Sequence, residues 1–216
     1  MSIFIGCDPG TSNSAISVIE CSNLDSKNKL DIKLLEISML LTTIVNLTDT
    51  PAKLPKSKRR KNNKDERIPV LKDQFTEHYK TWEDIFDTYK PIKKVSVERF
   101  QTRGPKGSTI EAVTLMNGSV ASICYQRKVE YSNYIAGTWK NSLNKYLKKF
   151  PIKGLKIEKD QKPLEAIYKL NPKLPNHIID SVFIGIYGLL TFVNKTWEVI
   201  KIHDIIKQLS EHEFVK

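Results

Sequence analysis

The sequence predicts a mixed α/β layer fold, a sheet begun by consecutive strands and continued by strands separated by helices. Three observations carry this. Residues 3–7 and 14–20 are short apolar runs parted by Asp8-Pro9-Gly10-Thr11, which is turn chemistry, so they read as a hairpin. Phe75, Tyr79, Trp82, Phe86 and Tyr89 recur at spacings of 4, 3, 4 and 3, one face of an amphipathic helix. Alternating runs then return, KVSVE at 94–98 and KVEYSNYI at 128–135. Such an order is what helices packed on a sheet require.

Taken in order, residues 3–7 (IFIGC) form a buried strand on which Phe4, Gly6 and Asp8 share a face. Residues 14–20 form a second strand, and residues 30–38, alternating around Ile32 and Leu34, a third. The apolar residues 39–47 fit either a strand or a helix, and the Pro- and Lys-rich stretch 51–69 reads as a loop insertion. The aromatic helix that follows ends before Pro91. On 94–98, Val95 and Val97 point one way, Ser96 and Glu98 the other. Residues 101–108 (QTRGPKGS) form a basic loop, and 109–126 a helix with Ala112, Met116, Val120 and Ile123 on one side. Residues 128–135 give the fifth strand and 159–170 a helix. Residues 177–193 give a helix apolar nearly all round, hence buried. A C-terminal amphipathic helix spans about 197–213 through Val199, Ile202, Ile205, Ile206 and Leu209. The expected whole is one domain, residues 1–216, with a central mixed five-stranded sheet flanked by helices.

Composition excludes several classes. A chain of 216 residues, 40% of them hydrophobic, buries a core without disulfides and is not globally disordered. Cys7, Cys21 and Cys124 show no paired spacing and read as reduced packing residues. The longest apolar stretch, Ile178 to Val193, is short for a membrane span and contains Asp180. No basic flank precedes an apolar run at the N-terminus, so no secretion signal and a cytoplasmic location are expected. The net charge of +11 sits in two places. Residues 51–64 carry seven Lys or Arg and no acid, and residues 140–173 carry ten Lys against three acids, leaving the rest of the chain at −3. Clustered basic charge is the footprint of nucleic-acid binding. For 51–64 a solvated loop or a nuclear-localisation run fits equally well. In 140–173 Trp139, Tyr146 and Phe150 lie at or among the lysines, which favours the nucleic-acid reading.

Three carboxylates stand at element boundaries: Asp8 ending the first strand, Glu98 ending another, Asp180 in the first turn of the most apolar helix. A charged carboxylate on a buried element is costly unless paired or bound to metal. Their convergence on a cation is expected, and oxygen ligands favour Mg²⁺ or Mn²⁺. His177, three residues before Asp180, faces the same way and fits a fourth ligand or a proton-transfer group. Plainer roles stay open: a turn residue for Asp8, a surface pair with Arg99 for Glu98, a macrodipole charge for Asp180, a helix-start residue for His177. His78, His203 and His212 show no metal spacing.

Four blocks together resemble the RuvC-type Holliday junction resolvases of the RNase H-like (integrase) superfamily, and a bacteriophage or viral member in particular. IFIGCDPGTSNSAISVIE resembles the first hairpin of that family, with Asp8 in the position of its first catalytic Asp. VSVERF resembles the strand bearing the second ligand, here Glu98, and LPNHIIDSVFIGIYG the last core helix, with His177 and Asp180 at the ligand positions. TWKNSL and GLKIEKDQK resemble stretches whose lysines lie near the scissile phosphate, here Lys140 and Lys159. His177 replaces the carboxylate that many members carry, and Phe100 follows Glu98 by two residues where a junction-wedging aromatic of some members follows by three.

The resemblance implies an RNase H-like fold and a metal-dependent endonuclease that resolves four-way DNA junctions by paired nicks. It implies two Mg²⁺ ions per site, with Mn²⁺ able to substitute, no organic cofactor and no membrane. It implies a homodimer through helix 109–126, and catalytic roles for Asp8, Glu98, His177, Asp180, Lys140 and Lys159. DNA contacts are expected from Phe100, Arg103, Lys106, Lys140, Lys156, Lys159 and Lys162. The alternatives are another RNase H-like nuclease cutting flaps, branched DNA or RNA–DNA hybrids, or an inactive nucleic-acid-binding module. DPGTSNS also resembles the phosphate loop of actin-like ATPases, but 216 residues with nine glycines and no second motif cannot supply their two lobes.

Overall fold

Five strands make one sheet. In the computed structural model, which describes residues 1–9, 14–25, 29–40, 67–99, 107–155 and 157–211, the backbone alone is described at 38–40, 67–75, 77 and 107–112. β1 (Ser2–Asp8) pairs antiparallel with β2 (Ser14–Cys21), and β2 with β3 (Ile32–Leu40), so the expected hairpin opens the sheet. β4 (Ile92–Arg99) then pairs parallel with the other side of β1, and β5 (Glu130–Ile135) parallel with β4. The order is β3-β2-β1-β4-β5, the expected mixed sheet. The parallel joins demand crossovers, and helices supply them. α1 (Arg67–Thr88) precedes β4, and α2 (Gly107–Gln126) joins β4 to β5. The remaining helices are α3 (Ala136–Lys149), α4 (Pro163–Tyr168), α5 (Asn176–Phe192) and α6 (Ile202–Glu211), with a 3₁₀ turn at Trp197–Val199.

The alternation of side chains along the strands sorts two cores. Ile3, Ile5, Cys7, Ile16, Val18, Val95 and Val97 face α1 and α2, where Trp82, Phe86, Val120 and Ile123 meet them. Phe4, Ala15, Ile19 and Cys21 face α3, α5 and α6. Glycine sets the distance on this second face. A Cβ on Gly6 would fall 1.9 Å from the Ser181 carbonyl oxygen and 2.5 Å from the Gly185 nitrogen. One on Gly188 would fall 1.7 Å from Ser96 Oγ. α5 therefore lies directly on β1 and β4. Its contact stripe is His177, Ser181, Gly185 and Gly188, at helical spacing. Phe192 meets Phe4 edge to face at one end of the crossing, and His177 meets Asp8 at the other.

Several boundaries differ from the sequence expectation, each for a visible reason. α1 already includes 67–69, because Pro69 falls in the first turn, where an amide hydrogen has no helical partner to lose. α2 begins at Gly107, two residues before the expected start at 109, and residues 101–106 of the expected basic loop lie outside the described residues. β5 starts at Glu130, since Lys128 turns through φ 56°. The helix expected over 159–170 shrinks to α4. Pro163 fixes its first turn, holding Lys162 extended, and the buried Asn144 side chain accepts the Leu164 N–H at 2.9 Å. Residues 197–201 do not join α6, because Ile200 bridges Leu30 and Val199 accepts the Leu30 N–H. The sequence reading places no helix at α3, although Trp139, Leu143 and Leu147, its buried hydrophobic residues, stand four apart. Residues 51–66 of the basic insertion lie outside the described residues. No helix among the described residues is long and apolar enough to cross a membrane.

The glycine contact generates a stability test. Gly6→Ala should destabilise the chain by about 3 kcal/mol or more, because the added methyl group meets helix backbone that cannot step aside. Gly137→Ala is the control. Its Cβ meets only the Asn141 side chain at 3.9 Å, and the change should stabilise by up to about 1 kcal/mol. Urea unfolding of the two variants checks both signs.

Candidate active site

The register of the sheet brings the first two carboxylates level. Gly6 pairs with Ser96 and Cys7 with Val97, so the next residues, Asp8 at the end of β1 and Glu98 one residue before the end of β4, stand at the same height. Both carry their side chains on the α5 face. β1 stops at Asp8 because Pro9 has no amide hydrogen to continue the ladder. α5 supplies the third carboxylate. It starts at Asn176 behind Pro175, which makes Asp180 its fifth residue and moves it from the expected first turn into the second. A macrodipole role thereby loses most of its force, since that effect falls off within one turn. Asp8 and Asp180 are buried, at 7% and 5% exposed.

Each carboxylate is turned toward a donor. His177 Nδ1 lies 2.6 Å from Asp8 Oδ2. Trp139 Nε1 donates to Glu98 Oε2 at 2.9 Å. Lys140 Nζ donates to Asp180 Oδ2 at 2.6 Å and the Tyr168 hydroxyl to Asp180 Oδ1 at 2.5 Å. Trp139 and Lys140 are consecutive residues of α3, so one turn of helix touches both Glu98 and Asp180. The Glu98–Arg99 surface pair is thus replaced by a contact with the buried Trp139 ring nitrogen.

The electrostatics report crowding. Burial first, then the charge of Asp8, push the Glu98 carboxyl up to about 7, with Asp180 adding and Lys140 and Trp139 opposing. Burial also raises Asp180 above the usual carboxylate range, against the pull of Lys140 and Tyr168. His177 is raised, chiefly by its hydrogen bond to Asp8. Burial disfavours the Lys140 charge, but Asp180, Glu98 and Asp8 outweigh it and hold its pKa above the ordinary value.

As they stand, no three His, Cys, Asp or Glu side chains among the described residues form a ready ligand shell. The donor set nevertheless suits a hard divalent cation. It offers carboxylate oxygens and one imidazole, and the charge of Asp8 helps to raise Glu98 and Asp180. Admitting an ion requires Lys140 to release Asp180 and His177 to release or share Asp8.

Of the lysines expected near the phosphate, Lys140 is in the site. Lys159 stands exposed on a cleft of about 710 Å³ that it shares with Tyr168 and Asn176, and no contact joins it to the carboxylates. Lys162 is exposed at the start of α4, one wall of the same region. Phe100, Arg103, Lys106 and Lys156 lie outside the described residues. Two members of the site were missed in the sequence. Trp139 was visible only as an aromatic beside lysines, and no sequence signal aims the Tyr168 hydroxyl at Asp180. His78 is buried and held neutral, its pKa lowered to about 4 by burial, and takes no part.

The raised pKa values have one sign. A group whose pKa is higher folded than unfolded holds its proton more tightly when folded, so the stability present at low pH is lost as pH rises through the interval. For Glu98 that interval runs from 4.5 to about 7. In chelator the chain should therefore melt higher at about pH 5 than at about pH 8, by on the order of 2 kcal/mol. Glu98→Gln should flatten the slope and raise the midpoint at the higher pH. A parent midpoint that climbs from the lower to the higher pH contradicts this assignment.

Neither a family model nor a curated protein matches the sequence. Solved structures do match the fold. RuvC of Thermus thermophilus, alone and in complex with Holliday junction substrate, superposes with a TM-score of 0.56 at 14% identity. Each match covers 90% of this chain and 98% of that one. Fowlpox virus resolvase in complex with substrate Holliday junction DNA aligns at 16% identity over 88% of this chain and 98% of its own, with a TM-score of 0.39. At such identities the likeness is one of architecture: the chain has an RNase H-like α/β fold, that of RuvC.

Proposed function

We propose that this chain is a metal-dependent endonuclease that resolves four-way DNA junctions by paired nicks, working as a homodimer. The observation that carries the reading is the meeting of Asp8, Glu98 and Asp180, from β1, β4 and α5, on one face of an RNase H-like sheet. The RuvC of matching fold is known with Holliday junction substrate, which supports branched DNA as the substrate class.

Asp8, Glu98 and Asp180 would hold Mg²⁺, with Mn²⁺ able to substitute and two ions per site, and His177 would serve as a further ligand. Bound divalent ions supply an activated water and offset the charge developing on the phosphate. The remaining work belongs to the chain. Lys140, once off Asp180, swings its ammonium group toward the scissile phosphate and neutralises its oxygens. Where it does not ligate an ion, His177, whose Nδ1 lies beside Asp8, would accept a proton from the attacking water near neutral pH. Trp139 keeps Glu98 aimed at the site. Lys159 and Lys162, exposed beside the cleft, contact the backbone of a DNA arm; Phe100, Arg103, Lys106 and Lys156 are further DNA contacts in this reading on the sequence resemblance alone. Contacts to phosphate give affinity without reading sequence, so selectivity rests on junction shape.

The dimer is supported by the outer face of α2. Leu115 and Tyr125 are 52% and 86% exposed and share a helical stripe with Gly118 and Ser122. Leu115→Glu and Tyr125→Glu should convert a dimer to monomer in light scattering and turn paired nicks into single ones.

One observation favours a second reading. The existing pairs of Lys140, His177 and Trp139 with the carboxylates suit a nucleic-acid-binding module without catalysis. Incubating the chain with synthetic four-way junctions, flaps and RNA–DNA hybrids in Mg²⁺ separates the two. The nuclease reading expects symmetric nicks on the junction, and a shifted but uncut junction favours the module. Asp8→Asn, Glu98→Gln and Asp180→Asn should each abolish nicking while preserving junction binding, because the amide keeps the shape and loses the charge. His177→Ala should be milder. Near-parent nicking by any one amide variant removes that residue from the site.

A further inference from the structure

Asp180 is held at both oxygens, and the two holders differ in kind. Lys140 takes Oδ2 with a full charge on a flexible side chain that is 31% exposed. Tyr168 takes Oδ1 with a neutral hydroxyl at 2.5 Å. A cation entering the site competes with Lys140 for the same negative charge. It does not compete with Tyr168, whose hydroxyl adds no charge and whose hydrogen bond leaves Oδ2 free. Tyr168 is also firmly seated. It closes α4, whose Pro163, Leu164, Ala166 and Ile167 are buried and whose Leu164 N–H is accepted by Asn144 of α3. The same α3 carries Trp139 and Lys140, so the donor to Asp180 is fixed to the element that also touches Glu98.

From this geometry we infer that Tyr168 is a positioning residue: it locks Asp180 so that Oδ2 faces the cation site, and it keeps its hold when Lys140 leaves. The inference rests on the nuclease reading above. Hydrogen bonds of this kind orient metal ligands, and their loss typically costs 10- to 100-fold in metal affinity.

The test uses the full chain, Mn²⁺ as probe, and thermal unfolding as readout. The parent midpoint should rise with Mn²⁺, as mass action requires for an ion bound only by the folded state. Tyr168→Phe should need roughly 10- to 100-fold more Mn²⁺ for half of that rise, while its binding to a four-way junction in chelator stays at the parent level. A variant that melts lower but responds to the same Mn²⁺ concentration as the parent overturns the inference and leaves Tyr168 a packing residue. Weakened junction binding in chelator also overturns it, in favour of a direct DNA contact. A parent with no Mn²⁺ response overturns the nuclease reading, and the role of Tyr168 with it. If the phenylalanine variant fails to fold, replacing Tyr168 by 4-aminophenylalanine serves instead: it keeps the ring and an N–H donor at the same reach and should respond within a few-fold of the parent, whereas a response lost as fully as that of Asp180→Asn overturns the inference.

Discussion

The approach of Gly6 to Gly185 is the constraint on which the site depends. Packed layers normally stand about 10 Å apart, as stacked sheets do, because side chains intervene. At this crossing neither backbone brings one: a Cβ on Gly6 would meet Ser181 and Gly185 backbone atoms within 2.8 Å, and one on Gly185 would meet Ile19 Cδ1 at 2.6 Å and the Gly6 backbone within 3.2 Å. Gly188 repeats the arrangement over Ser96 of β4. Since the helix cannot stand off, the residues at its N-terminal end are carried down onto the ends of β1 and β4. His177 heads the stripe that rests on the strands, and Asp180 follows three residues later. Lengthening any of these contacts by one methyl group lifts the third carboxylate away from the first two.

What the close approach assembles is unfavourable by itself. Three carboxylates meet in a buried place, and burial together with mutual repulsion raises the pKa of Glu98 and Asp180. The fold answers with Lys140 and His177, two cations or near-cations, and with the neutral donors Trp139 and Tyr168. The answer is partial, since Glu98 remains near half-protonated around neutral pH. A site with more negative charge than its partners neutralise is a site that gains by taking up a cation. This is how a packing decision made by two glycines becomes a chemical property.

Much of this was legible in the sequence, and the residues show why. Asp8, Glu98 and Asp180 were visible because each interrupts an apolar run at an element's end, and period-two alternation set Asp8 beside Phe4 and Gly6 on its strand and Glu98 opposite Val95 and Val97 on its own; that the two strands share a face came from their register. The five strands followed from short apolar or alternating runs bounded by turn residues, a local signal. Partners brought by tertiary contact were not legible. Tyr168 lies 12 residues before Asp180 on another helix, and Trp139 lies 41 residues after Glu98. Neither spacing has meaning within one element. The helix α3 was hidden because ten lysines between 140 and 173 drew the reading toward charge and away from the four-residue spacing of Trp139, Leu143 and Leu147. Gly6 and Gly185 were equally mute, since a glycine's reason is what lies opposite it.

The most direct measurement of the central claim is anomalous diffraction from crystals of the chain grown in Mn²⁺. The account expects manganese density bounded by the carboxylates of Asp8, Glu98 and Asp180, with Lys140 Nζ withdrawn from Asp180 Oδ2 and Tyr168 still bonded to Oδ1. Saturating Mn²⁺ that leaves no density there, with the Lys140–Asp180 and His177–Asp8 pairs intact, would contradict it.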